Sequence, residues 1–86
     1  MHERLKKLRF RSAHRGTKEI DLLLGGFAER HLDSLTADQV DRYEALIETQ
    51  DPNLYDWIVG RAAPPPEHDT DVLAMIRSFR LVAGPP

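Results

Sequence analysis

The segment His14-Arg15-Gly16-Thr17-Lys18-Glu19-Ile20-Asp21 gathers the chain's most suggestive set of chemical types. A guanidinium donates through a planar fork, and a carboxylate four residues later accepts. The glycine beside the guanidinium leaves the backbone uncovered, so another molecule can approach closely. That combination suits recognition of a partner surface. The same residues also serve structure. Gly16 can close a helix in a left-handed conformation, and Glu19 and Asp21 would then fall in the first turns of the next helix, where negative charge is favoured. Arg15 can also pair with Glu19 across the corner, worth about 0–1 kcal/mol at an exposed site.

Other groupings are poorer in chemistry. His2, His14, His31 and His68 lie far apart, with no H-x-x-x-H or H-E-x-x-H spacing, so no metal site is expected. Asp69-x-Asp71 lacks the rest of a calcium loop. The chain has no cysteine, which excludes disulfides and thiolate chemistry. It also has no G-x-S-x-G, P-loop or G-x-G-x-x-G motif. Eighty-six residues leave little room for a catalytic cleft. A binding protein is expected, not an enzyme.

Charge supports that expectation. The net charge is −2, yet the first 18 residues hold Arg4, Lys6, Lys7, Arg9, Arg11, Arg15 and Lys18 against the single acid Glu3. A basic arm on an acidic remainder suggests a negatively charged partner, although a solvated helix face has the same composition. No apolar stretch approaches a membrane span and no secretory signal follows Met1, so the expected location is cytoplasmic.

The elements that position these residues read as five short helices, an all-α fold forming a small five-helix bundle in one domain of residues 1–86. The first runs from about Glu3 to His14, with Leu5, Leu8 and Ser12 on one stripe and Phe10 on the outer, basic side near His14. The second starts near Gly16-Thr17 and reaches about Leu32, with Ile20, Leu23, Leu24, Phe27 and His31 inward. Gly25-Gly26 interrupts it at about 1 kcal/mol each against alanine, which implies a close neighbour or a kink. Thr36 and Gln39 have capping-box spacing, ahead of Val40, Tyr43, Leu46 and Ile47. Asp51-Pro52 starts a fourth helix with Leu54, Trp57 and Ile58 buried and Gly60 as its stop. Pro64-Pro65-Pro66 makes the stretch from Ala62 to His68 a polyproline II strut that is not helical. Asp69 or Thr70 caps a fifth helix with Val72, Leu73, Ile76 and Phe79 inward, while Arg77 and Arg80 read as generic outer residues. A frayed tail is expected over about residues 82–86.

Arg15-Gly16-x-x-Glu19-x-Asp21 resembles the R-G-x-x-E signature of the SdhE flavinylation factors, relatives of the mitochondrial succinate dehydrogenase assembly factor 2. The resemblance continues through Leu22-Leu23-Leu24-Gly25, Phe27, Asp33-Ser34-Leu35 and Asp51-Pro52-x-Leu54-Tyr55-x-Trp57-Ile58, covering roughly residues 4 to 80. It implies a five-helix assembly chaperone without its own active site. Such a chaperone binds the flavoprotein subunit of succinate dehydrogenase, and in some bacteria of fumarate reductase, and promotes covalent attachment of FAD to a histidine of that subunit. FAD is then the client's cofactor, and the factor is expected to be a monomer when free. By the same resemblance Arg15, Gly16 and Glu19 belong to the partner-binding surface, with Asp21 extending the signature or capping. Several members carry a tryptophan just before the signature, where this chain has Arg11-Ser12-Ala13. Either Phe10, flanked by Arg11 and His14, supplies that contact, or that part of the interface differs.

The alternative is a helical nucleic-acid-binding or antitoxin-like regulatory module using the basic first helix. Phe10 among cations fits a stacking contact. The acidic remainder and a pI near 6.0 weigh against nucleic acid.

Overall fold

The computed structural model describes residues 2–49 and 51–83. Five α-helices form, with no strand among the described residues: α1 (His2–Ala13), α2 (Lys18–His31), α3 (Ala37–Ile47), α4 (Asp51–Val59) and α5 (Asp71–Ala83). Short 3-10 turns cover Leu32–Ser34 and Pro66–His68. The elements fall into two sets, divided between Leu35 and Thr36.

In the first set, α2 buries Ile20, Leu23, Leu24, Phe27 and Ala28, the apolar stripe its 3.6-residue period requires. From α1, Leu8 and Ser12 are buried while Leu5 is half-buried. The Ser12 hydroxyl donates to the Leu8 carbonyl at 2.7 Å, so no polar group is stranded there. Gly25 lies against the end of α1. A Cβ at position 25 would sit 3.2 Å from the Ala13 Cβ and 3.3 Å from its Cα, so the cost of a mid-helix glycine is offset by closer helix packing. His31 is half-buried and tilts against Phe27, with ring centroids 5.2 Å apart. Beyond it Leu32 is fully buried in the 3-10 turn, which Arg9 of α1 holds through an ion pair with Asp33.

The second set begins with the expected capping box. Thr36 Oγ1 accepts from the Gln39 amide at 3.2 Å, and Gln39 Oε1 accepts from the Thr36 amide at 3.0 Å. The Gln39 side chain also donates to Asp71 Oδ2 at 3.0 Å. Arg42 donates to the same carboxylate through Nε at 2.9 Å and Nη2 at 3.2 Å. One acid at the start of α5 thus takes two side chains of α3. Val40, Tyr43, Leu46, Ile47, Leu54, Ile58, Val72, Leu73 and Ile76 are buried. Each such side chain contributes about 1.5–3 kcal/mol from leaving water.

The structure differs from the sequence expectations at several points. Trp57 and Phe79 are half-buried instead of inward. The Trp57 ring stacks on His68 with centroids 5.5 Å apart. Arg77 is no generic surface cation: its Nε and Nη2 donate to the Trp57 carbonyl at 3.0 and 2.8 Å. A carbonyl in the last turn of α4 lacks a helical partner, and the guanidinium supplies one. Gly60, at φ +86°, ends α4 as expected. There the amides of Gly60 and Arg61 both turn back to the Asp56 carbonyl, at 3.0 and 2.9 Å. The proline strut is only partly extended. Pro65 is, at φ −66° and ψ 160°, but Pro66 opens a 3-10 turn because proline at a first helical position has no amide to lose. Helix α5 begins at Asp71 and continues to Ala83. The expected Asp51 side-chain cap and the tail at residues 84–86 lie outside the described residues.

Two predictions follow from this packing. Gly25→Val drives a branched side chain onto Ala13 and should destabilise by about 1–3 kcal/mol in urea unfolding. Asp71, whose carboxyl the Gln39 amide and then Arg42 hold below the ordinary carboxylate range, binds its proton more tightly in the unfolded chain. Its stabilising contribution is therefore present at neutral pH and lost as pH falls through the lowered folded value. Melting temperature followed from neutral to strongly acid pH should drop less steeply in Asp71→Asn than in the wild type.

Candidate functional site at the corner between the first two helices

Helix α1 ends at Ala13 and α2 begins at Lys18, so four residues make the turn. Gly16 makes it possible. Its φ of +112° is one that side-chain-bearing residues rarely adopt, and the space where a Cβ would stand is open. Thr17 follows in an extended conformation as the N-cap of α2, but its hydroxyl makes no capping bond. A carboxylate from inside the helix holds the corner instead. Asp21 Oδ1 accepts from the Arg15 amide at 2.5 Å and from the Gly16 amide at 3.1 Å. The Asp21 amide in turn donates to the Thr17 carbonyl at 2.9 Å. Asp21 therefore binds the turn on both sides, with charge-assisted bonds to two successive amides.

This geometry separates the roles of the signature residues. Asp21 is half-buried and faces the backbone, whereas Gly16 and Glu19 are exposed and Arg15 is half-buried. The corner's backbone donors meet Asp21, two residues beyond the Glu19 expected to answer the Arg15 side chain. Sequence spacing contained a usable signal: an acid five residues after a helix-breaking glycine can reach back over the first turn.

Phe10 projects from α1 with 64% of its surface exposed, among the most exposed large apolar side chains of the described residues. It stacks on His14, ring centroids 4.1 Å apart and planes 12° from parallel. His14 Nδ1 donates to the Phe10 carbonyl at 2.9 Å, which places a proton on that nitrogen because a carbonyl only accepts. The imidazole thereby satisfies a carbonyl of the last turn of α1 and braces the phenyl ring. Phe10, Lys6, Lys7, Arg11 and Glu3 line a depression of about 450 Å³ whose surface is mostly apolar, with charged side chains around it. An aromatic plate edged by cations is equipped to take an apolar side chain beside an acidic one.

The expected site residues thus form two neighbouring groups on one helix pair. Arg15, Gly16 and Asp21 are joined through the backbone of the turn, and Glu19 stands exposed on the first turn of α2. Phe10, Arg11 and His14 sit at the end of α1 just before it. Among the described residues no group of three or more His, Asp or Glu side chains is gathered as a metal ion requires. No helix among them is long and apolar enough to cross a membrane.

Residues 6–80 match the family described as flavinator of succinate dehydrogenase. The chain is 42% identical over 82 residues to the FAD assembly factor SdhE of Acetobacter pasteurianus, covering 94% of this chain and 75% of that protein. It is 40% identical over 72 residues to the mitochondrial succinate dehydrogenase assembly factor 2 of Dictyostelium discoideum, covering 84% and 51%. The corresponding protein of Candida glabrata is 36% identical over 77 residues, covering 85% and 50%. The chain thus spans about half the length of these mitochondrial relatives.

The geometry makes opposite predictions for the two acids. Asp21→Ala leaves the Arg15 and Gly16 amides without their acceptor and should cost about 1–3 kcal/mol in denaturant unfolding. Glu19→Ala, at an exposed position, should stay within about 0.5 kcal/mol of the wild type.

Proposed function

Because the chain belongs to the succinate dehydrogenase flavinator family, we propose that it binds the flavoprotein subunit of succinate dehydrogenase and promotes covalent attachment of FAD to a histidine of that subunit. In this reading it acts as an assembly chaperone, and FAD is the client's cofactor. The observation that carries the proposal is the Gly16 corner, where a backbone turn held by Asp21 presents Arg15 and Glu19 on either side of an uncovered glycine.

The chemistry asked of the chain is binding alone. A bond between flavin and histidine forms when the client holds the two in a reactive arrangement. A partner that binds that conformer in preference to others raises its population by the ratio of the two affinities. Lifting a conformer from one part in a hundred to half of the molecules takes about a hundredfold preference, or about 2.7 kcal/mol. A few well-placed contacts supply that. Gly16 lets a client backbone approach, Arg15 offers a fork donor and Glu19 an acceptor. The Phe10–His14 plate with Arg11 adds an apolar anchor, while Asp21 keeps the turn in shape before the client arrives. Preforming the turn lowers the ordering cost of association.

The proposal is tested by producing the flavoprotein subunit in a host lacking its own factor, with and without this chain. Flavin fluorescence is then read in the subunit's band after denaturing electrophoresis. Covalent flavin should depend on the chain, and Glu19→Ala should lower the flavinylated fraction without changing the factor's melting. Equal fluorescence in both lanes, with folded subunit and available FAD, refutes the assignment. Glu19 is the sharper probe, because any side chain at Gly16 is strained by the backbone whatever the partner does. Repeating the assay with the fumarate reductase flavoprotein subunit fixes the client range.

A further inference from the structure

Away from the corner, the second set of helices contains an arginine whose donors are not used up. Arg42 and Arg77 each present the edge formed by Nε and Nη2 to an acceptor, the Asp71 carboxylate and the Trp57 carbonyl respectively. Arg80, one turn beyond Arg77 on α5, does not. Its Nε is buried and has no hydrogen-bond partner, the one such side-chain nitrogen or oxygen among the described residues. An unanswered buried donor is disfavoured, and more so on a charged group.

Arg80 lines a cleft of about 650 Å³ between the end of α4, the proline segment and α5. Its apolar wall includes Ile58, Ala62, Pro64 and Leu81. Its charged lining is Arg61, Arg77, Arg80 and Asp69, two positive charges in excess. Arg77 is committed to Trp57, and Arg61 lies over the Tyr55 ring at 5.9 Å with Asp56 at 3.8 Å. Arg80 is thus the side chain with an edge to offer. The geometry points to this cleft as a binding site for a carboxylate carried on a short apolar stem. The planar acid answers the planar edge of Arg80, and the stem lies on the Ile58–Ala62–Leu81 wall. Binding requires the terminal bonds of Arg80 to rotate, bringing that edge from its covered position into the cleft. A tetrahedral dianion fits less well, because Asp69 stands in the same lining and one guanidinium edge offers two donors. This site is independent of the flavoprotein proposal. Its carboxylate can come from a Glu side chain of a bound protein or from a free short organic acid.

Sodium butyrate titrated into the full chain, against sodium chloride at matched ionic strength, tests the site by nitrogen-15 NMR. A saturable shift of the Arg80 Nε–H signal and of the Ala62 and Ala63 amides is expected, at lower concentration for butyrate than for acetate. Arg80→Lys keeps the charge but loses the fork and should weaken the response about tenfold, with helicity unchanged by circular dichroism. No saturable shift in the wild type, or an equal shift in Arg80→Lys, overturns the assignment. Affinity of Arg80→Lys for the flavoprotein subunit then names the source. A loss of similar size places the carboxylate on that subunit, and an unchanged value excludes that subunit as its source.

Discussion

A chain that must turn between two helices in four residues has few ways to do so, and here the turn depends on one carboxylate oxygen. Asp21 Oδ1 gathers the amides of Arg15 and Gly16, two donors that a helix terminus and a tight turn would otherwise leave to water. The glycine supplies the backbone angle and the aspartate keeps it populated. Removing either member undoes the other: without the acid a positive φ has nothing to hold it, and without the glycine the two amides reach the acid only at the cost of a strained backbone. The direction in which α2 leaves the turn follows from this arrangement, and with it the placement of Glu19 and Lys18 on its first turn.

The same economy recurs in the second set of helices, where side chains complete backbone ends. Gln39 closes the start of α3 and reaches the acid at the start of α5. Arg77 caps a carbonyl of α4 from α5. In a chain this small the apolar interior is limited, so bonds at helix ends supply a large share of what fixes one element against another. Polar residues that look like solvated surface are committed to these ends.

Local periodicity and capping chemistry were legible from the residues alone. The α2 stripe from Ile20 to Phe27, the Thr36–Gln39 box and the Gly60 stop each depend on neighbours within a turn or two, so spacing suffices to reveal them. The close approach implied by Gly25 was legible in kind, though Ala13 as the neighbour was not. What escaped were bonds whose two ends lie in different elements. Arg77 read as generic because its acceptor is a backbone carbonyl twenty residues away. Trp57 and Phe79 read as core because size and phase point inward, whereas packing leaves each side chain partly exposed. The proline run read as wholly extended because proline forbids a helix interior, but a first position is permitted. At the corner, the sequence left Asp21 as either an extension of the signature or a cap, and its bonds to the Arg15 and Gly16 amides make it the residue that shapes the turn, while Glu19 stands exposed.

The stacking of Trp57 on His68 has a spectroscopic corollary. Trp57 is the only tryptophan, and Tyr43 and Tyr55 are the only tyrosines, so every strong near-ultraviolet chromophore falls after Leu35. The helix pair bearing Phe10, Gly16 and Glu19 is almost dark at 280 nm. Intrinsic emission excited there records the surroundings of Trp57, including the imidazole stacked on it. The chain thus carries a built-in optical label on α4 and none on the corner, where a reporter has to be introduced.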